Sequence, residues 1–148
     1  METGFTVGQI MKKYVLTMPP SSKIIDVAKC MVEKRVGSIL ITENNKILGI
    51  VTDQDMTRKV VARSLNVAAT AVSEVMTTEV WTVAPDIDIN KAVEALAKHK
   101  VRHLPVAFGD TLLGMISYRD IIRIQPSLVE LICTKQSLAE DIAETLLH

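Results

Sequence analysis

The sequence predicts a mixed α/β fold, of the α+β kind, in which two βαββα units are followed by a helical tail. Three observations carry this expectation. First, Gly49-Ile50-Val51-Thr52-Asp53-Gln54-Asp55 returns as Gly114-Met115-Ile116-Ser117-Tyr118-Arg119-Asp120, an interval of 65 residues (49 to 114). Second, the same interval pairs Met11 with Met76, Thr17 with Thr82, Pro20 with Pro85, Met31 with Leu96, Val36 with Val101 and Ile41 with Val106 without a gap. Third, in each copy an amphipathic helical period is followed, at the same offset, by two short apolar segments joined by a turn. A duplicated unit of this length points to two similar modules, each burying a face against the other.

Within each copy the elements follow from local patterns. A short strand is expected near 14–17, and its counterpart near 80–83. Ile24, Val27, Ala28 and Met31 obey the i, i+3, i+4, i+7 rule, as do Ile89, Ala92, Val93 and Leu96, which predicts one amphipathic helix per copy. Strands over 38–42 and 47–51, joined by Glu43-Asn44-Asn45-Lys46, form a hairpin. In the second copy, strands over 103–107 and 112–116 are joined by Phe108-Gly109-Asp110-Thr111. Helices over 53–62 and 118–124 follow, with Thr52 and Ser117 as N-caps. The expected boundaries are 7–63 for the first repeat, 64–71 for a polar, small-residue linker, 72–125 for the second repeat and 126–148 for the tail. After Pro126, Ser127-Leu128-Val129-Glu130 and Ser137-Leu138-Ala139-Glu140 read as two capping boxes. The tail's stripe of Leu128, Leu131, Ile132, Leu138, Ile142 and Leu146 suits packing on its own core or on a partner chain.

Composition narrows the function. The 17 basic and 17 acidic residues cancel, so the long-range field that recruits nucleic acid or an anionic membrane is missing. No apolar run approaches the roughly 20 residues of a membrane-spanning helix. Cys30 and Cys133 stand outside any metal or redox spacing, and the start of the chain lacks a basic segment followed by an apolar run, which together point to a cytoplasmic protein with reduced thiols.

Chemistry concentrates where each hairpin meets its following helix. Glycine admits a closely approaching backbone or ligand, the hydroxyl of Thr52 or Ser117 lies where the first helical turn has unpaired N–H groups, and Asp55 or Asp120 follows three residues later. Such a hydroxyl and carboxylate suit a vicinal diol with an anionic group, the chemistry of a ribose phosphate. The same residues also suit a purely structural reading, in which the hydroxyl caps its helix and the carboxylate favours the dipole.

Glycine, two apolar residues, Thr or Ser, two variable residues and Asp, closing a unit that occurs twice, resembles the cystathionine-β-synthase (CBS) domain pair, or Bateman module. The resemblance covers about residues 7–125 and includes Val36-Gly37-Ser38-Ile39-Leu40 and Val101-Arg102-His103-Leu104-Pro105-Val106. It implies tandem CBS repeats packed by pseudo-twofold symmetry, which sense an adenosine ligand in two clefts, commonly within a disc-like homodimer. Carried over residue by residue, one cleft joins Thr52 and Asp55 to Trp81, Val101, Arg102 and His103. The other joins Ser117 and Asp120 to Tyr14, Leu16, Val36, Gly37 and Ser38, with Arg119 or Arg123 as its source of positive charge. Arg102 and His103 match a basic pair that similar modules, including the γ subunit of AMP-activated protein kinase, place against phosphate. AMP, ADP or ATP is therefore expected ahead of S-adenosylmethionine.

The implied role is regulatory: the ligand shifts a conformational population that an unidentified effector protein reads. The competing role is a ligand-independent dimerisation or interaction scaffold with vestigial clefts. Trp81, as the sole tryptophan, is either core or an adenine platform, and His99 is assigned no chemistry. Arg58, Lys59 and Arg63 read as a solvated face, with a nucleotide's outer phosphates as the competing use. Catalysis is not expected. Ser117, His103 and Asp120 lack a Gly-x-Ser-x-Gly elbow, and the sequence has neither a phosphate-binding loop nor a metal-ligand cluster, so no catalytic cofactor or metal is expected.

Overall fold

The computed structural model describes residues 2–128; the expected tail helices lie outside these residues beyond Leu128. The described chain forms two compact units. One is Val15–Val80, and the other combines residues 2–14 with the second copy from Trp81 onward. Each copy therefore begins in one unit and completes its hairpin in the other.

In the Val15–Val80 unit, β1 (Thr17–Met18), β2 (Ser38–Glu43) and β3 (Lys46–Thr52) form a sheet in that order. β1 runs parallel to β2, pairing Thr17 with Leu40, and β2 pairs antiparallel with β3. The hairpin turns through Asn44 and Asn45 with φ of 52° and 63°, the left-handed geometry that asparagine tolerates and that matches strand twist. Helix α2 (Ile24–Lys34) buries Ile24, Val27 and Met31 against Ile39, Ile41 and Val51. Side chains of this size contribute about 1.5–3 kcal/mol each when fully buried, so this apolar stripe is what holds the helix on the sheet.

In the other unit, β4 (His103–Phe108) and β5 (Thr111–Ser117) form the matching hairpin. Helix α4 (Ile89–His99) buries Ile89, Ala92, Val93 and Leu96 against Leu104, Val106 and Ile116. Equivalence reaches fine detail. Both hairpins carry an irregularity, between Ile41 and Thr42 and between Val106 and Ala107, and both long helices end on a left-handed residue, Arg35 and Lys100, with φ of 54° and 53°. The strand expected near 80–83 reduces to a parallel bridge between Val83 and Val106. The one expected near 14–17 begins at Thr17.

The leading segment of each copy is the least local part of the fold. A short helix, α1 (Val7–Ile10), inserts the fully buried Val7 among α4, β4 and β5, and the 3₁₀ turn Val72–Glu74 inserts Val72 among α2, β2 and β3. Just beyond each turn the chain pairs with the glycine-bearing strand. Lys12 N–H donates to Met115 O at 2.9 Å and Met115 N–H returns to Lys12 O at 3.0 Å. Thr77 and Ile50 exchange the same pair of bonds at 2.8 and 2.9 Å. The glycines make this possible. A Cβ on Gly114 would stand 2.5 Å from Lys12 O and 2.7 Å from Met11 Sδ, and one on Gly49 would stand 2.7 Å from Met76 Sδ and 2.9 Å from Thr77 O. Of the two uses of this glycine that the sequence admits, the approach seen is to backbone.

Two further segments differ from expectation. The helix expected over 53–62 is one α-helical turn, α3 (Asp53–Asp55), that widens into a π-helix over Met56–Val61, with Ala62 N–H reaching Thr57 O. The polar stretch after it is more than a connection. Thr70 O and Val67 O accept from Ile24 and Ile25 N–H, closing the otherwise unpaired start of α2, while Leu65 and Val67 pack on the core. The second copy solves the same problem with Asp88. As N-cap of α4 it accepts from Asn90 N–H at 2.9 Å and from Thr3 N–H at 2.9 Å, binding the N-terminal residues to the helix. Helix α5 (Tyr118–Ile124) forms as expected.

Two predictions follow from these contacts. Gly49→Ala and Gly114→Ala force backbone apart at equivalent points, and overpacking of this kind costs about 1–3 kcal/mol; each variant melts several degrees below the parent and loosens its pairing, whereas Gly109→Ala, with no atom near its Cβ position but φ of 60°, carries only the strain of a left-handed alanine, about 1–2 kcal/mol, and leaves both pairings intact. For Asp88, desolvation opposes ionisation, but hydrogen bonds from Asn90, Thr3 and Gly4 outweigh it and hold the carboxyl below its usual range. Its contribution is present above the unfolded value near 4 and is lost as pH falls through the lower folded value. The stability gap between the parent and Asp88→Asn, measured by melts from pH 7 to 2, is therefore constant down to about pH 4 and narrows below it.

Candidate functional site

The strand-to-helix junctions form because β3 and β5 end on a hydroxyl residue in extended conformation, Thr52 with φ −119° and Ser117 with φ −131°, and the next residues turn into helix. Each junction closes a reciprocal capping box. Ser117 N–H and Oγ both donate to Asp120 Oδ2, at 3.0 and 2.9 Å, while Asp120 N–H donates back to Ser117 Oγ at 3.4 Å. Thr52 N–H and Oγ1 donate to Asp55 Oδ2, at 2.9 and 3.3 Å, and Asp55 N–H returns to Thr52 Oγ1 at 3.3 Å. The capping role is thus real at both places. It engages one carboxylate oxygen and leaves the other, Oδ1, outside the box.

Both carboxylates are buried, with Asp55 9% and Asp120 7% exposed, and each Oδ1 faces a lysine from a different part of the sequence. Asp55 Oδ1 lies 3.0 Å from Lys59 Nζ, one turn along its own helix. Asp120 Oδ1 lies 3.8 Å from Lys12 Nζ, which comes from the leading segment. Lys59 therefore does not join Arg58 and Arg63 on a solvated face; those two are exposed, whereas Lys59 turns inward.

Strand pairing settles which other expected residues gather within each unit. Ser38 is the register partner of Thr52, and Gly37 O accepts from Asp53 N–H at 3.0 Å, so Val36, Gly37 and Ser38 stand at the Thr52 junction. Leu16 is carried to the same sheet by its carbonyl, which accepts from Leu40 N–H. His103 is the register partner of Ser117, which places Val101, Arg102 and His103 at the start of β4 in the unit that also holds Tyr14, Trp81, Arg119 and Arg123. Each ligand-contact set implied by resemblance draws on residues of both units. Arg119 and Arg123 are exposed, and Tyr14 is 97% exposed.

Of the two readings of Trp81, the structure removes the core one. Its indole stacks on His99, with ring centroids 3.9 Å apart and planes 13° from parallel, yet the residue stays 42% exposed. It is therefore not core, and one face is already covered. His99 is the residue that sequence reasoning passed over; its place at the end of α4, 18 positions from Trp81, gives no local signal of the contact. Among the described residues no group of three or more His, Cys, Asp or Glu is arranged to hold a metal ion, and no helix is long and apolar enough to cross a membrane.

A duplicated hairpin-and-helix unit with this junction is the architecture of the CBS domain, and the CBS domain family matches the chain twice, at residues 7–62 and 72–127. The chain belongs to that family. Protein MK0525 of Methanopyrus kandleri is 30% identical over 126 residues, which are 84% of this chain and 64% of that protein. The chain spans only 21–24% of three Arabidopsis thaliana CBS domain-containing proteins that it also matches. Among solved structures, the CBS-domain protein of Burkholderia ambifaria MC40-6 superposes with a TM-score of 0.77 at 34% identity, covering 82% of this chain and 95% of that one. The CBS domain pair of MJ0100, solved with 5′-methylthioadenosine and S-adenosyl-L-methionine, shares the fold at a TM-score of 0.75 and 22% identity over 83% of this chain and 97% of that one.

Proposed function

We propose that the protein is a regulatory module that binds an adenosine nucleotide, AMP, ADP or ATP, and transmits its presence to a separate effector protein. The observation that carries this reading is the pair of buried aspartates, each held by its capping box through one oxygen, with the other, Oδ1, outside the box. A carboxylate so fixed has lost most of its side-chain entropy beforehand, and its second oxygen suits a ribose hydroxyl. The same fold holds adenosine ligands in MJ0100.

In this reading the ribose hydroxyls go to a junction aspartate, Asp55 or Asp120, beside Thr52 or Ser117. Val36, Gly37 and Ser38, with Tyr14 and Leu16, and Val101 with Trp81 surround the bases. The exposed indole face is the one left for stacking. Arg102, His103, Arg119 and Arg123 favour a phosphorylated ligand over a sulfonium, because added cations help the first and oppose the second. The protein acts as a cytoplasmic homodimer and carries out no catalysis of its own. Ligand-driven change requires that one arrangement bind the nucleotide better than another, and the effector reads the difference.

A second reading has a specific observation behind it. Capping accounts for both hydroxyls and half of each carboxylate with no ligand present, as expected of a ligand-independent interaction scaffold.

Thermal melts with AMP, ADP, ATP and S-adenosylmethionine separate the two. A ligand at 100 times its dissociation constant stabilises by about 2.7 kcal/mol, several degrees for a chain of this size. The sensor reading expects such a shift with at least one nucleotide, matched by a change in emission of the single tryptophan, Trp81, and reduced in Asp55→Ala or Asp120→Ala relative to each variant's own unliganded melt. Flat curves with every ligand would leave the scaffold.

A further inference from the structure

The two junctions are built alike but their lysines are not, and the difference is one of exchanged positions. Lys59 of the first copy corresponds to Ile124 of the second, and Thr77 of the second corresponds to Lys12 of the first. Lys59 Nζ is tied to three acceptors: Asp55 Oδ1 at 3.0 Å, Val75 O at 2.9 Å and Thr77 Oγ1 at 3.3 Å. An ammonium has three donors, so each of its protons has a partner. Its side chain is 30% exposed. Lys12, by contrast, approaches Asp120 only to 3.8 Å with a side chain 66% exposed.

A carboxylate offers about four acceptor positions, two on each oxygen. At Asp55, Thr52 N–H and Oγ1 use Oδ2 and Lys59 uses one position of Oδ1, leaving a single one. At Asp120, Ser117 N–H and Oγ use Oδ2, and Oδ1 keeps both positions for short bonds, the Lys12 contact being too long for one. A vicinal diol brings two donors. Asp120 can accept both as it stands; Asp55 can accept both only if Lys59 gives up its bond to Oδ1, leaving a proton of the half-buried ammonium without its partner.

We infer that Lys59 is a built-in occupant of the Asp55 site, so that a ribose diol enters at Asp120 and the Asp55 site stays closed to it. This rests on the adenosine-binding reading and deepens it: the two aspartates are unequal because of a lysine, and the chain takes one nucleotide where the duplicated motif offers two. Exchange of Lys59 for an uncharged residue opens the second site.

Titration calorimetry of the full chain with AMP tests this in five proteins: the parent, Lys59→Met, Asp55→Ala, Asp120→Ala and the double variant Asp120→Ala with Lys59→Met. Expected are one AMP per chain for the parent, two for Lys59→Met, at least tenfold weaker binding for Asp120→Ala, and recovery of binding in the double variant. Recovery is a gain that a merely structural lysine would not produce. Lys59→Gln, which keeps a donor near Val75 O and Thr77 Oγ1, replaces Lys59→Met should the latter not fold. A parent that binds AMP and loses it on Asp55→Ala but not on Asp120→Ala overturns the inference and leaves the functional reading standing, as does a double variant that stays silent. No binding of AMP, ADP, ATP or S-adenosylmethionine to the parent or to Lys59→Met overturns the functional reading and the inference together.

Discussion

The close backbone approach at Gly49 and Gly114 is the constraint on which the rest of the structure depends. At each glycine a leading segment lies so near the hairpin that a single methyl group would collide with a carbonyl oxygen and a methionine sulfur. The approach allows two backbone hydrogen bonds per copy and brings the 3₁₀ turn or short helix that precedes it, with Val72 or Val7, into the core. Remove it, and the β3 or β5 edge has unpaired groups and the apolar cluster lacks a fully buried valine. The methionines Met11 and Met76 suit this place because an unbranched thioether can settle over a glycine where a branched side chain cannot.

Anchoring the leading segment also determines the electrostatics of the junctions. Lys12 stands before Asp120 because its own backbone is paired with Met115, and Thr77 stands beside Lys59 because its backbone is paired with Ile50. The same pairing thus delivers a cation to one carboxylate and a hydroxyl to the partner of a cation at the other. Stability and the electrostatics of the junctions are not separate features here. The capping boxes hold the start of each helix and orient the carboxylates in one set of hydrogen bonds.

The elements that are local in sequence were legible in it. Helices α2 and α4 announce themselves by a 3.6-residue period, the first hairpin by two asparagines that tolerate positive φ, and the caps by a hydroxyl three residues before a carboxylate. The 65-residue interval then doubled each reading, and duplication is what led to the family. Less legible was everything decided at a distance. Nothing in Val7 or Val72 reveals that its segment belongs to the unit of the opposite copy's hairpin. The π-helical widening over Met56–Val61 does not follow from helix propensity; it coincides with the copy whose helix carries Lys59, and the copy with Ile124 stays α-helical. Residues 63–72 read as a linker by composition, yet their carbonyls close the start of α2, a role any residue type can fill and none signals. At the junctions the capping hydroxyls and their aspartates were legible, while the stacking of His99 on Trp81 was not. The lysine exchange was visible in principle: aligning the copies shows Lys59 against Ile124 and Lys12 against Thr77. Only the geometry tells that both lysines address the same carboxylate position.

Native-state hydrogen exchange on the amides of Lys12 and Thr77 tests most directly whether the leading segments are structural members of the units they join. Both lie outside the named helices and strands, and each donates to a strand carbonyl at 2.9 or 2.8 Å. Exchange as slow as that of the hairpin amides of Ile116 and Val51, the register partners of Leu104 and Ile39, is expected, because the pairs can open only with the core around Val7 and Val72. Exchange as fast as that of exposed loop amides, with Ile116 and Val51 still protected, would show that the leading segments come away freely and would contradict the role given to Gly49 and Gly114.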